Sequence, residues 1–365
     1  MEKLLAKKTE LNTLFPTVII QSLNNFECIL FKKFRNLREL KTQKKMSFEN
    51  LLLDINDYEV IKRKRNSFSS DVFEIEHKET KQKFHAASFD CNFSLPTQNY
   101  CQKLLLREIS LLSHMSHPAI IRFKGFSFRN FQNTLEPVLV YQAMKNGTLD
   151  EVLQKVANKQ PPKGWTPTKK YIVILGIAFG MKYLHSRHYI HCDLSPINIL
   201  LDSNFYPRVC NFTRVIEFNQ FKMIDNFYDP DREYGKEFAW YKSPEILQTC
   251  GITEKTDVYS FAMIVYQLLT GIHPKDFYGN NCCLFKAVTA AVNGKRPNLD
   301  VLKSKAQIYF LEMCWNHTPN LRLSFDDIVN QLTKFCGNQL SGENEFINEE
   351  VDFEEINEYI SRAGF

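Results

Sequence analysis

The hydrophobic repeat of this chain changes period partway along its length, and few folds accommodate such a change. Tyr58–Lys62, Val72–His77, Gln82–Phe89, Ile120–Phe128 and Pro137–Gln142 are short runs that read as strands. Lys78–Lys81, between the second and third runs, has the length of a hairpin turn. One helix interrupts them at Tyr100–Met115, with Leu104, Leu105, Ile109 and Leu112 on one stripe. After Asn146-Gly147 the pattern is mostly helical: Leu149–Ala157, Thr168–His185, Thr256–Thr270, Leu284–Val292, Ser304–Trp315 and Phe325–Phe335. Strands first and helices second predict an α+β protein of two lobes, hinged near Met144–Gly147.

Composition removes several classes. The 365 residues, 44% hydrophobic and 24% charged, suit two domains, or one two-lobed domain with tails, around a full core. A net charge of +5 is too mild to indicate nucleic acid. The 30 phenylalanines and 15 tyrosines do not alternate with basic residues as a base-stacking platform requires. Ten scattered cysteines without a C-x-x-C pair fit reduced thiols and a cytoplasmic location. Met1–Asn12 is charged and lacks the apolar core of a secretory signal, and Glu2 excludes myristoylation. Tyr171–Leu184 and Tyr259–Leu269 fall short of the ~20 residues of a membrane span and read as buried helices.

Two flanks stand apart. Residues 1–57 form an extension in which Pro16 interrupts a helix and a basic run follows over Lys32–Lys45. The run is a solvated helix face or a docking patch for an acidic partner or a membrane surface. Residues 339–365 form an acidic tail, without Lys or Arg from Glu343 to Glu358, in which Phe346, Phe353, Ile356 and Ile360 share one helical face. The tail is either disordered or an amphipathic helix docked on the basic run of its own chain or in a partner's groove.

The sharpest motif is Tyr189-Ile190-His191-Cys192-Asp193-Leu194-Ser195-Pro196-Ile197-Asn198, followed by three apolar residues. It resembles the catalytic loop of protein kinases, H-R-D-L-x-x-x-N. Asn211-Phe212-Thr213 stands where that family has D-F-G, and Lys242-Ser243-Pro244-Glu245 where it has A-P-E. Arg107-Glu108-Ile109 resembles the αC segment, with His117-Pro118-Ala119-Ile120-Ile121 after it. Asp257-Val258-Tyr259-Ser260-Phe261 and Cys314-Trp315 ahead of Arg322 complete the order. The phrasing is most similar to the tyrosine-kinase-like group. The resemblance implies a bilobal kinase-like domain over residues 58–338, with a small β-rich N-lobe (58–145) and a helical C-lobe (146–338). It implies Asp193 as the base toward a substrate hydroxyl and Asn198 as a metal ligand. His191, Glu245, Asp257 and Arg322 are then structural, Glu245 and Arg322 as a buried ion pair.

The chain departs from the family where phosphoryl transfer is performed, a reaction that depends on phosphate positioning and cationic stabilisation. Lys64–Val72, in the place of the glycine-rich loop, contains no glycine, and Asp71 adds a negative charge there. The β3 lysine slot falls on Ser88, so Glu108 loses its partner. Either Lys62, Lys64 or Arg65 reaches in, or Glu108 turns outward. Asn211 replaces the metal-binding aspartate and Thr213 the glycine after it. Ser195 and Cys192 replace a lysine and an arginine of the catalytic loop, so a phosphate on Tyr228, Tyr234 or Tyr241 finds no arginine there. The cofactor positions Ser88, Glu108 and Asn211 are therefore degenerate, and ATP and Mg²⁺ are expected as weak ligands that the chain does not require. The leading expectation is a pseudokinase that acts on protein partners as a scaffold or allosteric module. An atypical, weakly active Ser/Thr or Tyr kinase and a nucleotide sensor without turnover are the alternatives. The H-x-x-H-x-x-H run His185, His188, His191 suggests zinc only weakly, and no metal is expected.

Overall fold

The computed structural model describes residues 48–64, 70–89, 105, 107–134, 136–218, 239–248, 251–277, 289–302, 304–337, 346 and 349–363. The basic run, most of the glycine-free loop, Tyr228 and Tyr234 lie outside them.

Five strands build the first lobe: β1 (Tyr58–Lys64), β2 (Ser70–His77), β3 (Lys83–Phe89), β4 (Phe123–Ser127) and β5 (Val138–Gln142). They pair antiparallel in the order β1-β2-β3-β5-β4. The hairpin after β2 closes through the His77 amide, which donates to the Gln82 carbonyl at 2.9 Å. Alternation along the strands sends Phe73, Ile75, Phe84, Ala86, Val138 and Val140 to one buried cluster with Ile55 and Tyr58. On the other face Leu105 and Ile109 of the helical segment 107–112 and its approach pack with Leu51, Phe126 and Leu139. The packing thus begins ahead of β1, and the Leu53 amide donates to the Phe126 carbonyl at 2.8 Å.

The strand expected over Ile120–Phe128 is shorter, because Ala119, Ile120 and Ile121 are buried in succession rather than in alternation. These residues leave the sheet and bond to the second lobe, where the Val209 amide donates to Ala119 O at 2.8 Å and the Ile121 amide to Val209 O at 2.9 Å.

The second lobe holds α1 (Leu149–Ala157), α2 (Pro167–Ser186), the short strands β6 (Tyr189–Ile190), β7 (Ile199–Leu201), β8 (Pro207–Val209) and β9 (Ile216–Glu217), then α3 (Pro244–Leu247), α4 (Lys255–Thr270), α5 (Pro274–Phe277), α6 (Lys305–Cys314), α7 (Phe325–Gly337) and α8 (Phe353–Arg362). A capping box starts α1: Thr148 accepts from the Glu151 amide and the Glu151 side chain accepts from the Thr148 amide. α2 and α4 are the two long apolar stretches of the sequence, and both run through the core as buried helices. No described helix is long and apolar enough to cross a membrane. The two-lobed α+β arrangement read from the sequence is the one observed.

Over residues 349–363 the reading of the tail as disordered fails. Asp352 caps α8 by accepting from the Glu355 amide, and α8 lies on α2. Phe346, Ile356, Tyr359 and Ala363 are buried, whereas Phe353 and Ile360 are only half-buried. The inward stripe passes through Tyr359, which the sequence-derived face omitted. The basic run proposed as one docking site lies outside the described residues, and the tail's apolar face is taken up by the second lobe.

Candidate active site

The loop between β6 and β7 carries His191, Cys192, Asp193 and Asn198. Asp257, at the start of α4, fixes it from below: its two carboxylate oxygens accept from the His191 amide at 2.8 Å and the Cys192 amide at 2.9 Å. His185 also bonds to this carboxylate at 2.9 Å. Cys192 is held at φ 61, a left-handed turn that reverses the chain ahead of Asp193. The His191 ring is wholly buried, accepting from the Asp193 amide at 3.2 Å and donating to the Cys210 carbonyl at 3.1 Å. Burial lowers its pKa, which outweighs the neighbouring carboxylates and keeps the ring neutral.

Asp193 is 4% exposed, and it is already paired. Lys242 Nζ bonds to its Oδ1 and to the Cys192 carbonyl, the latter at 3.2 Å. Arg214 Nε stands 3.9 Å from Oδ2. Burial pushes this carboxyl up, but Lys242 and Arg214 outweigh burial and hold it below the usual carboxylate range. Lys242 sits just ahead of the Ser243-Pro244-Glu245 stretch, far from Asp193 in sequence. A pair so distant leaves no local spacing to read, so it is not legible in the sequence.

The two positions that hold metal in the family here hold each other. Asn211 is left-handed at φ 63, and its side-chain amide donates to Asn198 Oδ1 at 3.0 Å. Asn211 Oδ1 accepts from the Thr213 hydroxyl at 2.7 Å, and Asn198 Nδ2 donates to the Asp193 carbonyl at 2.7 Å. The positive φ falls on Asn211, a residue type that tolerates it, and not on Thr213, which stands in the place of the family's glycine. Mg²⁺ favours charged oxygens in octahedral array. Two neutral amide oxygens, each accepting a hydrogen bond, with the nearby carboxylate on a lysine, do not fit it.

Above this floor, Ser88 is buried on β3 opposite Val138, and no cation takes the place of the missing lysine among the described residues. Glu108 does not turn outward, and Arg65, one of the cations expected to reach it, lies outside the described residues. Glu108 stays inside, 3% exposed, and Lys62 remains on the surface. Its Oε1 accepts from the Tyr141 hydroxyl at 3.2 Å and from the Phe212 amide at 3.4 Å. Burial raises its pKa to about 7, against the lowering by these two hydrogen bonds. Tyr141, on β5, was not singled out from the sequence; a tyrosine in the otherwise apolar Val138-Leu139-Val140 strand was the available signal. Asp71, expected to burden the phosphate site, pairs with Arg63 on β1.

Glu245 and Arg322 meet as a bidentate pair at 2.6 and 3.1 Å. Burial pushes Glu245 up, but the Arg322 hydrogen bonds and charge outweigh it and hold the carboxyl below the usual range. Tyr241, considered above as a phosphate acceptor, is wholly buried with its hydroxyl on Gln267, so it offers no site. Among the described residues no three metal-ligating side chains converge, the histidine run included.

Residues 92–332 match the profile of the protein tyrosine and serine/threonine kinase family. Similar chains include a probable serine/threonine-protein kinase of Dictyostelium discoideum, 31% identical over 62% of this chain and 16% of its own length. Ephrin type-A receptor 5 of Rattus norvegicus is 30% identical over 65% of this chain and 22% of its own length. Receptor-interacting serine/threonine-protein kinase 1 of Homo sapiens is 27% identical over 68% of this chain and 36% of its own length. The chain therefore spans from about a sixth to about a third of these relatives. With both lobes, the catalytic-type loop and the matched span in agreement, the chain belongs to the protein tyrosine and serine/threonine kinase family.

Proposed function

We propose that this chain is a pseudokinase of the tyrosine-kinase-like group, a cytoplasmic interaction or allosteric module for protein partners, with weak affinity for ATP and Mg²⁺. The observation that carries the reading is the hydrogen bond from Asn211 to Asn198, which joins the two metal positions to each other. Three features support it: Ser88 in the lysine slot, Glu108 bonded to Tyr141 instead of a cation, and Lys242 on Asp193. In this reading Asp193 and Asn198 keep the family's places without its chemistry. His191, Asp257, Glu245 and Arg322 serve the scaffold.

The alternatives are a weak kinase, favoured by the retention of Asp193, and a nucleotide sensor. Thermal melting of the full chain with millimolar ATP, with and without Mg²⁺ or Mn²⁺, tests the reading. A ligand at a hundred times its Kd stabilises by about 2.7 kcal/mol, which is several degrees of melting temperature. No shift is the expected outcome. A metal-dependent rise of several degrees would overturn the proposal. Autophosphorylation that disappears in Asp193→Ala would then establish a kinase, and its absence a sensor.

A further inference from the structure

Under the tail the body of the second lobe is shaped to receive a helix. Phe346 sits between the rings of Tyr171 and Phe310, centroids 6.2 and 5.1 Å away, and Gln307 donates to its carbonyl at 2.7 Å. The Thr168 hydroxyl accepts from the Asp352 amide at 3.0 Å, at the point where α8 begins. At the rim Lys170 holds Glu349 at 2.8 Å, and Lys169 holds Glu355. Farther along, Tyr359 enters a notch beside Tyr206 and Pro207 that exists because residue 176 is glycine: a Cβ there would overlap the Tyr359 hydroxyl and the Pro207 ring.

The fit is incomplete. The Tyr359 hydroxyl is buried and finds no partner among the described residues, and Arg208 Nε is in the same condition. A helix of ten residues is marginal in water, so α8 owes its form to the dock. A short helix with an unsatisfied polar group is a replaceable occupant.

We propose that the groove along α2, from Lys169 and Tyr171 to the Gly176–Pro207 notch, is an exchangeable helix-binding site. The chain's own tail fills it at rest, and an acidic amphipathic helix of a partner protein enters by displacing that tail. The two lysines supply the charge preference, and the Phe346 box and the Tyr359 notch supply the apolar register. The site adds a surface to the reading of the chain as an interaction module. It does not depend on the nucleotide site, so the melting experiment and the following one fail separately.

A fluorescent peptide of residues 343–363 is titrated onto the full chain and onto the full chain carrying Ile356→Asp and Tyr359→Asp. Saturable binding is expected to the opened chain. The wild type should bind at least about tenfold more weakly, because its tethered tail competes at high effective concentration. In the wild type, excess unlabelled peptide should speed hydrogen exchange of the resident residues 353–363. A peptide with Glu349→Lys and Glu355→Lys should bind more weakly at low salt. No binding to the opened chain, equal affinity for both chains, unchanged exchange, or indifference to charge reversal overturns the proposal. So does failure of the opened chain to fold, since a lobe that needs its tail has no exchangeable site.

Discussion

Glu108 is a carboxyl whose neutral form the fold favours. Its pKa is raised to about 7 by burial, from an ordinary value near 4.5. A raised value stabilises the fold below the unfolded pKa, and the benefit is lost as pH climbs to 7. Above pH 7 the ionised group burdens the lobe by about 3 kcal/mol, at 1.36 kcal/mol per pKa unit. Glu108→Gln should therefore stabilise the chain by up to that amount at pH 8, and by under about 1 kcal/mol at pH 5. Urea unfolding at the two pH values measures the difference, and an equal effect at both would contradict the assignment. Asp193 behaves oppositely. Its pKa is held down, so its contribution is present above the ordinary range of aspartate and fades as pH falls through the lowered value. Lys242→Met strands the carboxylate in a buried site and should cost about 3 kcal/mol. The acid limb attributable to Asp193 should vanish from the stability profile of that variant. Neither pair was legible in the sequence: Glu108 meets Tyr141 and Asp193 meets Lys242 only through the fold.

At the scale of elements, the hydrophobic period located what it could. Both apolar helices, the hairpin after β2 and the span of α1 fall where their residues predict. The misreadings occurred where packing overrides periodicity. Ile120 and Ile121 look like the start of a strand because they are apolar, but they are buried in succession against β8. The tail's inward stripe was drawn through Phe353 and Ile360. The structure turns it toward Tyr359, because the Gly176 notch accepts a ring at that position. The orphaned hydroxyl in the notch gives a direct test of that packing. Tyr359→Phe keeps the ring and removes the unsatisfied group, and should stabilise the chain by about 1 kcal/mol. A rise of a few degrees in melting temperature is the expected readout, and a fall would mean that the hydroxyl has a partner.

At the scale of the molecule, α4 and the segment around Arg322 anchor the second lobe. The Arg322 guanidinium lies 5.2 Å over the Tyr259 ring while it grips Glu245 and the Lys255 carbonyl. Arg322→Ala would leave Glu245 as an uncompensated buried charge, at a cost of 3–5 kcal/mol or about that. Chemical denaturation should show the loss in full at neutral pH and less of it in acid, where Glu245 protonates. The family order of motifs was legible from Arg107 to Arg322, whereas the state of the cleft was not, since it depends on contacts between lobes. One such contact is the hydrogen bond from the Phe212 amide, mounted on the lower lobe, to Glu108, mounted on the upper. Its length follows the separation of the two lobes, which makes that amide a gauge for cleft breathing. Its exchange rate, read in a backbone spectrum, would register each opening without a ligand or a label.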